Sequence, residues 1–226
     1  MQIEFCIESG EAAKAAEDYK VDRIEVCSDL AADGLSPGLE LLKECRQIFS
    51  GDIYAMLRPR PGNFCYSSEE LRLMQDKIYE FAEYGIDGLV FGLLDKANNI
   101  DIESCKLLME TAGELKLGVT FHRAFDVCNT PFSSLEEIVN LGFRRILTSG
   151  QKPSAFEGLD LLTGLALKAR GRIGIMAGAG VAPQNALALC KSGVDALHFS
   201  VHDKGLSPAS ADYILKKKID GILSQL

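Results

Sequence analysis

The residues Thr120 to Asp126 bring an imidazole, a guanidinium and a carboxylate to the end of an apolar run, with His122, Arg123 and Asp126 following Gly118, Val119 and Phe121. Charge is costly to set against a core. A cluster of this kind at a strand-to-loop junction points to proton transfer or anion binding, with a structural ion pair closing the strand as the competing explanation. Glu8 and Glu25 join His122 and Asp126 as candidate acids and bases, because a carboxylate beside an imidazole can hold a proton near neutral pH. Arg58, Arg60 and Arg123 carry planar guanidiniums suited to bidentate contact with carboxylate or phosphate. Ser149 with Gly150, and Gly178 with Gly180, mark turns whose backbone N–H groups would face an anion, although glycine also serves simply to reverse the chain. His198 and Ser200 would line the same pocket.

Such residues need a frame that brings distant segments together. Short β-type runs at 2–7, 23–27, 52–58, 88–93, 118–122, 144–148, 172–177 and 196–201 alternate with amphipathic helical runs, with no linker or low-complexity stretch between them. Helix starts carry signals of their own. Ser67 with Glu70, Ser133 with Glu136 and Ser154 with Glu157 have capping-box spacing, while Pro37 after Ser36 and Pro208 after Ser207 fit an N-cap followed by the first helical residue. In the third helix Leu71, Met74, Ile78, Phe81 and Ala82 form one apolar stripe.

Repeated βα units of about 28 residues predict an α/β fold, a single (β/α)8 TIM-type barrel spanning residues 1–226 as one domain. An open doubly wound sheet is the alternative, but the first βα turn lacks a dinucleotide-binding glycine pattern. Period-two alternation sorts each strand into faces, and the less apolar one should point inward. That face carries Glu4, Cys6 and Glu8; Glu25 and Cys27; Tyr54, Met56, Arg58 and Arg60; Thr120 and His122; then His198 and Ser200. The expected interior is charged at its upper end and rich in sulfur lower down.

Composition narrows the classes further. The chain has 226 residues, 47% hydrophobic and 25% charged, enough for a sizeable core. A net charge of -8, with the 216–218 lysine run read as a solvated face, argues against nucleic acid. No apolar run approaches the roughly 20 residues of a membrane span, and the start lacks a basic, cleavable leader, so the expected location is cytoplasmic. Seven cysteines without a C-x-x-C pair suggest buried thiols rather than a disulfide framework or a closed zinc motif. The absence of Trp weakens a sugar platform around Glu8 and Glu25, and no strand end offers a lysine for Schiff-base chemistry. His202 lies too far into its loop to carry weight.

A resemblance runs across nearly the whole chain. Glu25 to Ser28, Met56 to Arg60 followed by Gly62, Asn63, Phe64 and Tyr66, Gly88 to Gly92, Thr120 to Asp126, and Leu147 to Gly150 together resemble the CutC family of copper homeostasis proteins. Pro61-Gly62, the stretch from Asp33 to Pro37, and the turn at Ala177 to Gly180 depart from that family's usual loop sequences. The resemblance implies a (β/α)8 barrel, a cytoplasmic location, a homodimer or higher homo-oligomer, and Cu(I) held by cysteines of the first two strands, here Cys6 and Cys27. Soft Cu(I) suits such thiolates, with Met56 or Met176 as neighbours. The competing function is a metal-independent enzyme or sensor for a small phosphorylated or carboxylated metabolite.

Overall fold

The computed structural model describes residues 1–200 and 208–225, the stretch 208–215 by its backbone alone. Eight strands, β1 (Gln2–Ile7), β2 (Arg23–Val26), β3 (Asp52–Met56), β4 (Gly88–Phe91), β5 (Gly118–Phe121), β6 (Arg145–Thr148), β7 (Gly174–Ala177) and β8 (Ala196–Ser200), close into one barrel in chain order. Every pairing is parallel, and β1 meets β8 through the register Glu4↔His198 and Cys6↔Ser200. The helices α1 (Gly10–Asp18), α2 (Leu39–Ile48), α3 (Ser68–Ala82), α4 (Ile102–Glu114), α5 (Pro131–Asn140), α6 (Leu159–Ala169), α7 (Pro183–Lys191) and α8 (Pro208–Leu223) fall between successive strands and after the last. This is the TIM-barrel arrangement.

Alternation explains how one chain builds both layers. Ile3, Phe5 and Ile7 of β1, Ile24 and Val26 of β2, and Ile53 and Ala55 of β3 pack outward in the large core shared with the helices. The opposite parity fills the barrel. Cys6, Cys27, Tyr54, Met56 and Val90 make one interior cluster, and Leu147, Met176 and Ala196 another. Tyr54 needs room from its neighbours: a Cβ on Gly88 would lie 2.4 Å from its ring, and one on Gly118 2.3 Å from its hydroxyl. Glycine at both places lets a phenol cross the barrel.

Several carboxylates tie strand starts together at the other end. Asp22 accepts from the Ile3 N–H at 2.7 Å, Asp87 from Ile53 at 2.9 Å and Asp195 from Ile175 at 2.7 Å. Each aspartate precedes one strand and binds its neighbour, which fixes register.

Helix starts follow the expected chemistry in part. Ser67 and Glu70 form the capping box of α3, and Met74, Ile78 and Phe81 are its buried stripe. Ser133 caps nothing of that kind, because Pro131 opens α5 two residues earlier with Thr130 at its N-cap. Glu136 turns outward to Arg172 instead, at 2.7 and 2.9 Å. Ser154 and Glu157 close a turn ahead of α6, which begins at Leu159. Gly38, not Ser36, precedes α2, and the Ser36 hydroxyl accepts from the Arg58 N–H at 2.9 Å. Pro208 opens α8, while Ser207 and His202 lie outside the described residues.

Candidate functional site in the barrel mouth

Four charged side chains enter the interior from three adjacent strands: Glu4 of β1, Arg23 and Glu25 of β2, and His198 of β8, none more than 9% exposed. Glu4 joins two of them. It is ion-paired with Arg23 and lies 2.7 Å from Nδ1 of His198. Arg23 also lies over the Tyr54 ring at 4.2 Å and points Nη2 toward the Met176 sulfur at 3.7 Å. Burial would raise Glu4, but the Arg23 guanidinium and His198 outweigh it and hold the carboxyl below its usual range. Burial likewise opposes an imidazolium at His198, yet Glu25 and Glu4 prevail and raise it. Glu25 behaves differently. Burial raises it, His198 opposes the rise and Glu4 reinforces it, and its Oε1 has no hydrogen-bond partner.

The sulfur begins level with Glu25, one layer above Glu4 and Arg23. Cys6 is the Cα partner of Glu25, and its Sγ is 3.5 Å from Sγ of Cys27, whose thiol reaches the Ile7 carbonyl at 3.4 Å. The hydrogen bond to Cys27, burial and the Glu25 charge push the Cys6 thiol well above its usual range. Met56 borders the same space: a Cβ on Gly34 would stand 3.6 Å from its methyl and 3.7 Å from the Cys27 sulfur. The expected order, charge above sulfur, is therefore corrected on this side of the barrel. Glu4 and Arg23 lie one layer below Cys6 because charges on neighbouring strands can pair with each other inside.

Across the barrel, His122 follows β5, and no carboxylate among the described residues is bonded to it. Its Nδ1 accepts from the Ala124 N–H at 3.3 Å, and its buried Nε2 has no partner. The Phe64 ring meets it edge-on at 4.9 Å. Burial first, then the positive charge of Arg58, lowers its pKa to about 3. His122 is thus a neutral donor through Nε2–H.

The arginines divide. Arg58 is buried and spends its guanidinium on the carbonyls of Ala32 at 2.7 Å, Gly34 at 3.1 Å and Gly62 at 3.3 Å, so it binds the loops after β2 and β3 together. Its Nε alone lacks a partner. Arg60 is tied to Glu70, the Cys65 carbonyl and Asn63, and does not line the cavity. Arg123 pairs with Asp126 at 2.8 Å and keeps 40% of its side chain exposed at the rim.

Asp126 organises the loop after β6. Its carboxylate accepts from the backbone of Ser149 at 2.9 Å and Gln151 at 3.2 Å and from the hydroxyls of Thr148 and Ser149. Gly150 N–H goes to the Thr148 hydroxyl at 2.9 Å, and Gly178 N–H to the Thr148 carbonyl at 3.1 Å. The N–H groups expected to meet an anion at Ser149, Gly150 and Gly178 are therefore already used. Ala179 and Gly180, both left-handed at φ 76° and 71°, are the part of that turn facing the cavity. Glu8 also departs from the expected mouth: it is exposed and accepts from the Leu30 N–H at 3.1 Å, because the chain has left the strand by that point.

The cavity has a volume of about 470 Å³. Cys6, Glu25 and His198 border it on one side, Arg58 and His122 on the other, with Arg123, Asp126, Gly180 and Ser200 nearer its rim. Cys27 lies behind Cys6, fully buried. Three participants escaped the sequence reading as site residues. Glu4 shared the parity of Cys6, and Arg23 that of Glu25, so alternation was the available signal. Lys218 lay in a run read as solvated; Lys216 and Lys217 are exposed, but Lys218 reaches the Ser200 carbonyl at 3.0 Å and lines the mouth.

A closed parallel barrel with thiols, carboxylates and imidazoles at the C-terminal ends of its strands is a TIM-barrel protein with a pocket in the customary place for this fold. The chain belongs to the CutC family, whose model matches residues 1–203. A CutC family protein of Histophilus somni (strain 2336) is 45% identical over 201 residues, 88% of this chain and 82% of its own. One from Vibrio vulnificus (strain CMCP6) is 42% identical over 225 residues, 99% of this chain and 89% of its own. The crystal structure of CutC from Streptococcus agalactiae, provisionally named a copper homeostasis protein, is similar with a TM-score of 0.83 at 33% identity, covering 88% of this chain and 98% of that one. Among the described residues no helix is long and apolar enough to cross a membrane.

Proposed function

We propose that this protein handles Cu(I) as cargo in the cytoplasm, binding it between Cys6 and Cys27. The observation that carries this reading is the 3.5 Å separation of the two sulfurs inside a buried cluster that also contains Met56. Cu(I) prefers soft sulfur donors and displaces the thiol proton on binding, so a high thiol pKa makes affinity depend on pH without forbidding the site. At this separation the sulfurs would bridge an ion at a bent angle. That leaves a third side for Met56 or for a donor entering from the cavity.

Anaerobic titration of the reduced protein against a Cu(I) chelator tests the reading. One equivalent of Cu(I) should be held by the wild type and lost in the Cys6→Ser, Cys27→Ser double variant; unchanged stoichiometry in that variant removes these ligands. A homodimer or higher homo-oligomer is part of the same proposal, and light scattering of the purified protein is its measurement, a monomer being the result that removes it.

A second reading has its own support in the cavity and in the unpartnered Nε2 of His122. Under it, a small phosphorylated or carboxylated metabolite would meet His122, Arg123 and the turn at Gly180, with Glu25 and His198 as the groups able to exchange a proton without a metal. Thermal-shift titration with such anions should then raise the melting temperature, and Arg123→Ala should abolish the shift. Equal shifts in the two proteins would sink it.

A further inference from the structure

Cys6, Glu25 and His198 each offer one ligand atom, and these atoms all lie within 4.8 Å of one another. They arrive from β1, β2 and β8, three neighbouring strands, so the backbone rather than a mobile loop sets their convergence. From this arrangement we infer a second metal site, distinct from the Cys6–Cys27 pair: a borderline divalent cation, Zn2+ being the type case, held by the Cys6 thiolate, a Glu25 carboxylate oxygen and His198 Nε2.

Three features fit that role. Glu25 is 2% exposed, and its Oε1 has no hydrogen-bond partner, an arrangement that a bound cation would resolve. His198 is oriented as metal-binding imidazoles usually are. Its Nδ1 lies 2.7 Å from Glu4, itself backed by Arg23, and this leaves Nε2 facing Glu25 at 3.6 Å. The donor set of one sulfur, one oxygen and one nitrogen suits Zn2+ or Co2+ better than Cu(I), which selects sulfur.

All three residues border the cavity of about 470 Å³, so the fourth coordination position opens onto it. Three protein ligands with one open position is the pattern of zinc sites that receive water or a substrate oxygen rather than of closed structural sites. Binding releases the Cys6 proton and, from the charged ring, the His198 Nε2 proton, and the thiolate and carboxylate together balance the charge of the ion. Cys6 is common to both sites, so Cu(I) and the divalent ion exclude each other. The inference does not require the copper reading, because Glu25 and His198 belong to this site and Cys27 does not.

Co2+ added to the reduced, metal-free protein without oxygen is the probe. One equivalent should give a thiolate-to-cobalt absorption band with the strong visible bands of a four-coordinate ion, both removed by one equivalent of Zn2+. Cys6→Ser should lose the charge-transfer band. Glu25→Gln and His198→Gln should weaken Co2+ binding tenfold or more while retaining Cu(I), and Cys27→Ser should keep Co2+ while losing Cu(I). A wild-type titration without a saturable thiolate band overturns the site irrespective of how any variant folds, and so does unchanged Co2+ affinity in both folded Glu25 and His198 variants.

Discussion

His122 and His198 enter one barrel from opposite sides, and their surroundings push them in opposite directions. At His198 two carboxylates overcome burial and favour the charged ring. At His122 burial and the Arg58 charge hold the ring neutral down to about pH 3. Burial is common to both; the neighbouring strands decide the sign. On the β1, β2 and β8 side, charges are inside the barrel and satisfy one another. On the β5 and β6 side, most of the polar capacity goes into shaping loops through Asp126, and the imidazole is left as a lone donor.

Replacing Glu4 should break the first region most severely. Glu4→Ala leaves Arg23 without its carboxylate and His198 with Glu25 alone, and loss of one partner of a buried pair costs about 3–5 kcal/mol. Urea unfolding should show a correspondingly lower midpoint; a shift as small as that of a surface variant would mean that the network is not sealed from water. Asp126→Ala should cost less, about 1–3 kcal/mol, by leaving buried donors of the β6 loop unpaired. Faster hydrogen exchange at Ser149 and Gln151 is the accompanying readout, and unaltered exchange would remove Asp126 from the centre of that loop.

The contrast between the histidines can be tested through pH. His122 is held near 3 when folded and has an ordinary value of 6.5, so from pH 6.5 downward the unfolded chain takes up a proton that the folded one does not. Stability from this group is complete above pH 6.5 and falls on acidification toward 3, with a slope approaching about 1.4 kcal/mol per pH unit. Arg58 and Arg123 are the charges opposing protonation there. His122→Asn, which preserves a cap for Ala124, should flatten this slope in denaturation curves recorded across that range; parallel curves for wild type and variant would show that the ring is not neutral when folded. The smallest effect belongs to Arg60→Ala. Its pair with Glu70 is partly exposed and worth about 0.2–1 kcal/mol, and neither Cu(I) nor anion binding should change, since Arg60 is outside the cavity.

The barrel was readable from residues because parity repeats. The sets Glu4 and Cys6, Glu25 and Cys27, and Tyr54 and Met56 follow from alternation alone, and each occupies the inner face. Strand ends were less legible. Arg58 and His122 leave the ladder while remaining extended or buried, so the apolar pattern continues past the last paired residue. Partnerships were the least legible. Nothing local to Glu4 announces a histidine 194 positions later, and Arg60 looks no different from Arg58 until Glu70 claims it. Ser133 shows the same limit at short range, where Pro131 decides the helix start first.

X-ray absorption at the copper edge of the Cu(I)-loaded protein tests the central assignment most directly. The expected first shell is sulfur, two of the scatterers being the Cys6 and Cys27 thiolates, and it should be lost in Cys27→Ser. A shell of nitrogen and oxygen that Cys27→Ser leaves unchanged would contradict it.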